Sequence, residues 1–173
     1  MADDSSFVEF TRANYVSLFR TAAMLAGDSA TAEDLVQDTL AKLYPTWSRV
    51  DAADNPVAYV RRSLTNLFLT SRRRASATEL VTASVPDRAT ADASRAVVNR
   101  AYTVQLLANL SDRQRAAVVM RYLHDMTDQE IAASIGCRPV TARSLVSRAL
   151  SAMRTESDRI DGLEQGVGQG STS

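Results

Sequence analysis

The 173-residue sequence contains one cysteine, Cys137, and one histidine, His124. A single thiol excludes a disulfide framework and a cysteine-based zinc finger, and it suits a reducing cytoplasm. A single imidazole with no cysteine neighbour leaves little from which to build a metal site or a His-dependent catalytic pair. Glycine and proline are scarce, at six and four, so long helices can run with few interruptions. Strand signals are nearly absent, the weak alternation of LVTASV (80–85) being the strongest of them. No stretch approaches the ~18 consecutive apolar residues of a membrane span, and the acidic start MADDSSF lacks the basic character of a signal peptide. There is also no glycine-rich phosphate loop and no paired-carboxylate motif. The composition predicts a soluble, cytoplasmic, all-α protein with no catalytic residues, no metal, no cofactor and no membrane insertion.

Lysine is as rare as cysteine: Lys42 stands beside nineteen arginines. With abundant alanine, that bias marks a GC-rich genome, so arginine content alone carries little information. Arrangement carries more. The net charge is zero, yet residues 1–60 hold nine acids against four bases (net −5). Residues 61–74 hold Arg61, Arg62, Arg72, Arg73 and Arg74 with no acid (net +5), and residues 111–150 hold six arginines against four acids (net +2). Charge sorted in this way steers a protein onto phosphate.

Apolar spacing predicts helices on both sides of a polar gap. Ser6 with Glu9 has the form of a capping box, opening a helix with Phe10, Leu18, Phe19, Ala22 and Leu25 inward and ending at Gly27. Ser29 or Thr31 can cap a second helix, with the stripe Leu35, Val36, Leu40, Leu43 and Tyr44, which Pro45 breaks near Trp47. Residues 48–55 (SRVDAADN) are expected to be a polar loop, and Asn55-Pro56 a cap followed by a first-position proline. The helix after it carries Val57, Val60, Leu64, Leu67 and Phe68 on one side. Residues 75–99 lose the apolar stripe and are expected to be a flexible linker, with some helix near its end. A helix is expected over Ala101–Leu110, and another from Ser111, with Gln114 as box partner and Ala117, Val118 and Met120 inward. Tyr102 and Tyr122 match core spacing, and the Gly/Gln/Ser-rich tail 161–173 is expected to be disordered. The outcome is two small helical domains, an N-terminal bundle (1–74) and a C-terminal helix-turn-helix domain (100–160).

The most informative stretch is TDQEIAASIGCRPVTARSLVSRAL (127–150). Thr127 and Glu130 form a capping box, and Ile131, Ala132 and Ile135 lie on one face of a short helix. Gly136 follows, where positive φ costs little, and Pro139 suits a first helical turn. Ala142, Leu145, Val146 and Ala149 then recur at helical spacing while Arg143, Ser144, Ser147 and Arg148 point elsewhere. This is a helix-turn-helix pattern, and its second helix has the shape and charge to enter a major groove. Trp47 and Cys137 are expected to be packed residues, whereas Tyr59 stays open between core and base stacking. Arg113 and Arg115 stay open between phosphate contact and simple solvation.

Three blocks, AEDLVQDTLAKLYPTW (32–47), NPVAYVRRSLTNLFLTSRRR (55–74) and 110–154, occur together in the order and at the spacing of a known group. The chain resembles the extracytoplasmic-function sigma factors of the sigma-70 family, closest in texture to an actinobacterial, sigma-E-like branch. The resemblance implies that 1–74 is sigma region 2 and 100–160 sigma region 4. It implies docking on the clamp of the largest subunit of core RNA polymerase through Asp34, Leu35, Gln37, Asp38, Leu40 and Lys42. It implies recognition of the −10 promoter element as single strand by the loop 48–55 and the helix after it, through Arg61, Arg62, Asn66, Arg72, Arg73 and Arg74. It also implies recognition of the −35 element in promoter DNA by Arg138, Pro139, Thr141, Arg143, Ser144, Ser147 and Arg148. At Arg138-Pro139 the chain departs from the family, which usually has a small polar residue followed by a non-proline one. Members are commonly restrained by an anti-sigma factor, and the linker leaves room for such a clamp. The competing class is a helix-turn-helix regulator that does not associate as a sigma subunit; the all-helical, arginine-tipped 1–74 block argues against it.

Overall fold

The computed structural model describes residues 4–78 and 95–167. Helix α1 (Asp4–Ala26) is followed by α2 (Ser29–Leu43), a 3-10 turn (Tyr44–Thr46), a short α3 (Trp47–Asp51) and α4 (Pro56–Thr78). Beyond the gap come α5 (Arg95–Ala108), α6 (Asp112–Leu123), α7 (Asp128–Ile135) and α8 (Pro139–Val167). No strand occurs among the described residues, and the fold class is all-α as expected. The LVTASV stretch and most of the expected linker lie outside the described residues.

In the N-terminal group α1 packs on α2 and α4, and α2 on α4. Leu18, Ala22 and Leu25 from α1 meet Leu35, Val36, Leu40 and Leu43 from α2 and Val60, Leu64, Phe68 and Leu69 from α4, all buried. Three threonines share this interior, and none leaves its hydroxyl unpaired. Thr21, Thr39 and Thr65 each donate to the carbonyl four residues back, at 3.1, 2.6 and 3.0 Å. Trp47 is 1% exposed, is met edge-on by Phe7 and at a tilt by Phe10, and donates from its indole nitrogen to Ser6 Oγ at 2.7 Å.

Several local expectations change. Helix α1 already runs from Asp4, so Ser6 is not its cap; its hydroxyl is the acceptor for Trp47. The cap of α2 is Asp28, whose carboxylate accepts from the Thr31 amide at 2.8 Å, a stronger acceptor than the Ser29 or Thr31 hydroxyl. The expected loop 48–55 begins as helix α3, because Trp47 and Val50, both 1% exposed, are drawn into the core one turn apart. Tyr44 leaves the stripe and donates to Asp4 at the surface, and Tyr122 is 61% exposed instead of buried. Helix α8 continues to Val167, seven residues into the segment expected to be disordered. Asn55 does cap α4, its side chain accepting from the Ala58 amide at 3.0 Å.

The C-terminal group packs α6, α7 and α8 around Met120, Ile131, Ala132, Ala142, Val146 and Ala149. It also rests on the N-terminal group: α1 touches α5 and α6, and α4 touches α6 and α7, joining the buried residues into one apolar cluster.

Candidate nucleic-acid interface

The helix-turn-helix is built as its residues dictate. Thr127 accepts from the Glu130 amide at 3.3 Å, and the Glu130 carboxylate accepts from the Thr127 amide at 2.7 Å and its hydroxyl at 2.8 Å. Those donors hold the Glu130 carboxyl below its usual pKa. Gly136 adopts φ 73°, and the amides of Gly136 and Cys137 both donate to the Ala132 carbonyl, at 2.9 and 3.0 Å. The next helix starts at Pro139 without a small polar cap. The Arg138 carbonyl accepts from the Thr141 and Ala142 amides, and Pro139 has no N–H that would need a partner.

With Ala142, Val146 and Ala149 buried against α6 and α7, the opposite face of α8 is open. Arg138, Pro139, Thr141, Arg143, Ser147 and Arg148 are exposed and Ser144 is half-buried, so the expected −35 set is brought onto one surface. Val140 stands among them at 65% exposure, an apolar group suited to a thymine methyl. Val140, Thr141, Ser144, Leu145 and Arg148 line a shallow depression along this face.

The expected −10 set is more divided. Arg61 does not point outward: its Nη2 donates to Ser17 Oγ on α1 at 2.7 Å, and its Nε is buried. Arg62 is exposed but donates to the Ala133 carbonyl on α7 at 3.2 Å. Arg72 pairs with Asp112 at the start of α6 at 3.2 Å, and Arg73 donates to the Leu69 carbonyl at 3.5 Å. Asn66 is half-buried and, with Arg73, borders a depression between α4 and α7. Arg72, Arg73 and Arg74 are all exposed at the end of α4. Tyr59 is 47% exposed, on the solvent side of the helix.

The expected polymerase set also splits. Asp34, Gln37, Asp38 and Lys42 are exposed at helical spacing on one face of α2, whereas Leu35 and Leu40 are 7% and 8% exposed and belong to the core. Those two leucines fix how α2 sits on the bundle; they do not form its exposed surface.

Arg115 is excluded as a phosphate ligand by its partners. Its guanidinium donates to the carbonyls of Leu107, Ala108 and Leu110 around the end of α5, and to Leu25 near the end of α1 at 2.7 Å. One cation thereby joins carbonyls at two helix ends, and burial lowers its pKa. Beside it, Thr21 gives its one hydrogen to Ser17, so its oxygen accepts from His124 Nε2 at 3.1 Å. His124 Nδ1 is then the bare nitrogen, and it is buried without a partner among the described residues. Burial first, and the Arg61 charge second, push the imidazole down to about 4, with Asp125 opposing.

A helix-turn-helix with an open basic face, preceded by a helical bundle with an arginine-rich exit helix, defines a bipartite DNA-binding protein. Residues 10–78 match the family model for sigma-70 region 2, and residues 100–153 match that for sigma-70 region 4. The chain is 31% identical over 156 residues to the RNA polymerase sigma-E factor of Streptomyces coelicolor, covering 90% of this chain and 88% of that protein. It is 29% identical over 142 residues to the ECF RNA polymerase sigma factor SigL of Mycobacterium tuberculosis, covering 79% and 80%. Its fold is similar to that of the sigma factor RpoE solved with the anti-sigma factor NepR from Bartonella quintana. That match has a TM-score of 0.63 and 26% identity, over 85% of this chain and 95% of that one. The chain belongs to the extracytoplasmic-function sigma factors of the sigma-70 family. It is a DNA-binding initiation factor that directs promoter recognition and transcription initiation. Among the described residues no helix is long and apolar enough to cross a membrane.

Proposed function

We propose that this sigma subunit works without catalytic chemistry of its own, in the cytoplasm, by dividing three contacts among α2, α4 and α8. The exposed edge of α2 (Asp34, Gln37, Asp38, Lys42) docks on the clamp of the largest subunit of core RNA polymerase, where an acidic helix face meets a basic partner. The end of α4 holds the single strand of the −10 element through Arg72, Arg73 and Arg74, with Asn66 available for base edges, and so favours melting. In that state Arg62 and Arg72 exchange the Ala133 carbonyl and the Asp112 carboxylate for phosphates. Arg61 supports α4 from behind through Ser17.

The exposed face of α8 enters the major groove of the −35 element. Arg143 and Val140 face bases, while Arg138, Thr141, Ser144, Ser147 and Arg148 hold the backbone. Pro139 starts the helix. The working domains are 1–74 and 100–160. An anti-sigma factor is an expected partner, in keeping with the complex in which the Bartonella relative was solved.

The observation that carries this reading is the continuous open face of α8 in a chain that also holds the sigma-70 region 2 match. The test is transcription with purified core polymerase on a promoter library. Promoter-dependent transcripts that require the added protein are expected, and Arg143→Ala should relax one −35 position. Absence of any promoter-dependent transcript, with no comigration with core, would overturn it.

A further inference from the structure

The geometry points to Asp128 as a positioning residue for base selection, holding the Arg143 guanidinium so that its two terminal nitrogens address a guanine in the groove. This rests on the reading of α8 as the groove helix. Asp128 is the first residue of α7, directly after its Thr127 cap, where the helix N-terminus favours a carboxylate. Its two oxygens are divided between two arginines. Oδ1 accepts from Nη2 of Arg121 on α6, and Oδ2 accepts from Nε of Arg143 on α8 at 3.0 Å.

The choice of nitrogen matters. A guanidinium bonded through Nε keeps Nη1 and Nη2 free, and those two are the donors that fit O6 and N7 of guanine side by side. Had the carboxylate taken the terminal nitrogens, that edge would be spent. The exposures separate the donor arginines: the Arg121 side chain is 29% exposed and Asp128 20%, whereas Arg143 is 79% exposed. Arg121 and Asp128 thus form the covered part of the cluster, with Asp128 as the bridge, and Arg143 is the group presented to solvent. A free arginine on a helix surface samples many rotamers and loses that freedom on binding. Restraint from α6 and α7 reduces the loss for one orientation of the fork and leaves other orientations unfavoured. As an exposed ion pair alone, Asp128–Arg143 would add little to stability, which separates this role from a merely structural one.

The test uses holoenzyme assembled from core polymerase and the full chain, on promoters randomised across the upstream element, at one fixed salt concentration. Arg143→Ala should remove a guanine preference at one base pair. Asp128→Asn should weaken the preference at that same base pair about five- to tenfold, the low end for a bidentate contact. Its overall affinity should stay level or rise, since a negative charge near phosphate is lost. Asp128→Glu should recover part of the preference, and Asp128→Asn should add nothing to selectivity in the Arg143→Ala background.

If Arg143→Ala relaxes the base pair while Asp128→Asn keeps full selectivity and shifts all sequences equally, Asp128 is only a background charge and the proposal is overturned. If Arg143→Ala loses affinity uniformly with no base preference, the assignment of Arg143 to a base falls, and this proposal with it. Should Asp128→Asn unfold, unchanged selectivity in a well-folded Arg121→Met variant, which loosens the same carboxylate, overturns the proposal equally.

Discussion

The contact between His124 and the N-terminal helices makes the packing of the two helical groups sensitive to pH. The ring faces Thr21 on α1, Arg61 on α4 and its own neighbour Asp125. With Nε2–H given to Thr21, a second proton would have to sit on the buried Nδ1, which has no acceptor among the described residues, beside a guanidinium. The packed state therefore binds that proton less well than the unfolded chain does, with a pKa of about 4 against 6.5. The stabilisation is fully present above pH 6.5 and is lost as pH falls from there toward 4. At 1.36 kcal/mol per pH unit the ceiling is about 3 kcal/mol, and solvent access to the half-buried ring reduces it to about 1–2 kcal/mol. Urea midpoints measured from pH 8 to pH 4.5 by circular dichroism and by Trp47 fluorescence would follow this loss. Carboxylates such as Glu130 also titrate at the lower end, so the quantity to compare is the difference from His124→Gln. Glutamine keeps a hydrogen-bonding partner for Thr21 but cannot titrate. The wild type should lose about 1–2 kcal/mol more than the variant across this range. Parallel curves for the two proteins would refute the placement of His124 against Arg61.

Two further outcomes follow from geometry alone. At Gly136 an added methyl would meet nothing within 4 Å, so Gly136→Ala should lose only the left-handed backbone penalty, about 1–2 kcal/mol in denaturant unfolding; no loss would contradict the positive φ. Replacing Arg72, Arg73 and Arg74 by alanine should lower the salt dependence of promoter binding by a slope of about 2, at about 0.7 per single-strand phosphate. Sequence preference should stay intact, and an unchanged slope would remove these arginines from the phosphate contact.

Much of the local structure was legible because it is decided within a few residues. The Ser111/Gln114 and Thr127/Glu130 boxes form as their spacing predicts, and Gly27 and Gly136 end helices at φ 88° and 73°. The same rule misled at Ser6, where the spacing to Glu9 imitates a box but Trp47, forty-one residues away, claims the hydroxyl. It also misled at 48–55, where polar composition concealed Val50, which the core draws inward. Periodicity placed Leu35 and Leu40 correctly on an apolar stripe; assigning them to a partner surface as well asked one face to do two jobs.

By itself the sequence determined most of the helices, the turn at Gly136, the open face of α8 and the membership of a sigma family. Each of these follows from short-range periodicity, capping chemistry and ordered motifs. Only the tertiary structure decided which charges are spent inside the molecule. Arg115 closes two helix ends, Arg61 turns back to Ser17, and Asp128 joins Arg121 to Arg143. Each arginine reads as a cation from sequence. Its partner lies on another helix, at a distance along the chain that no periodicity encodes, so its role exists only once the helices have crossed.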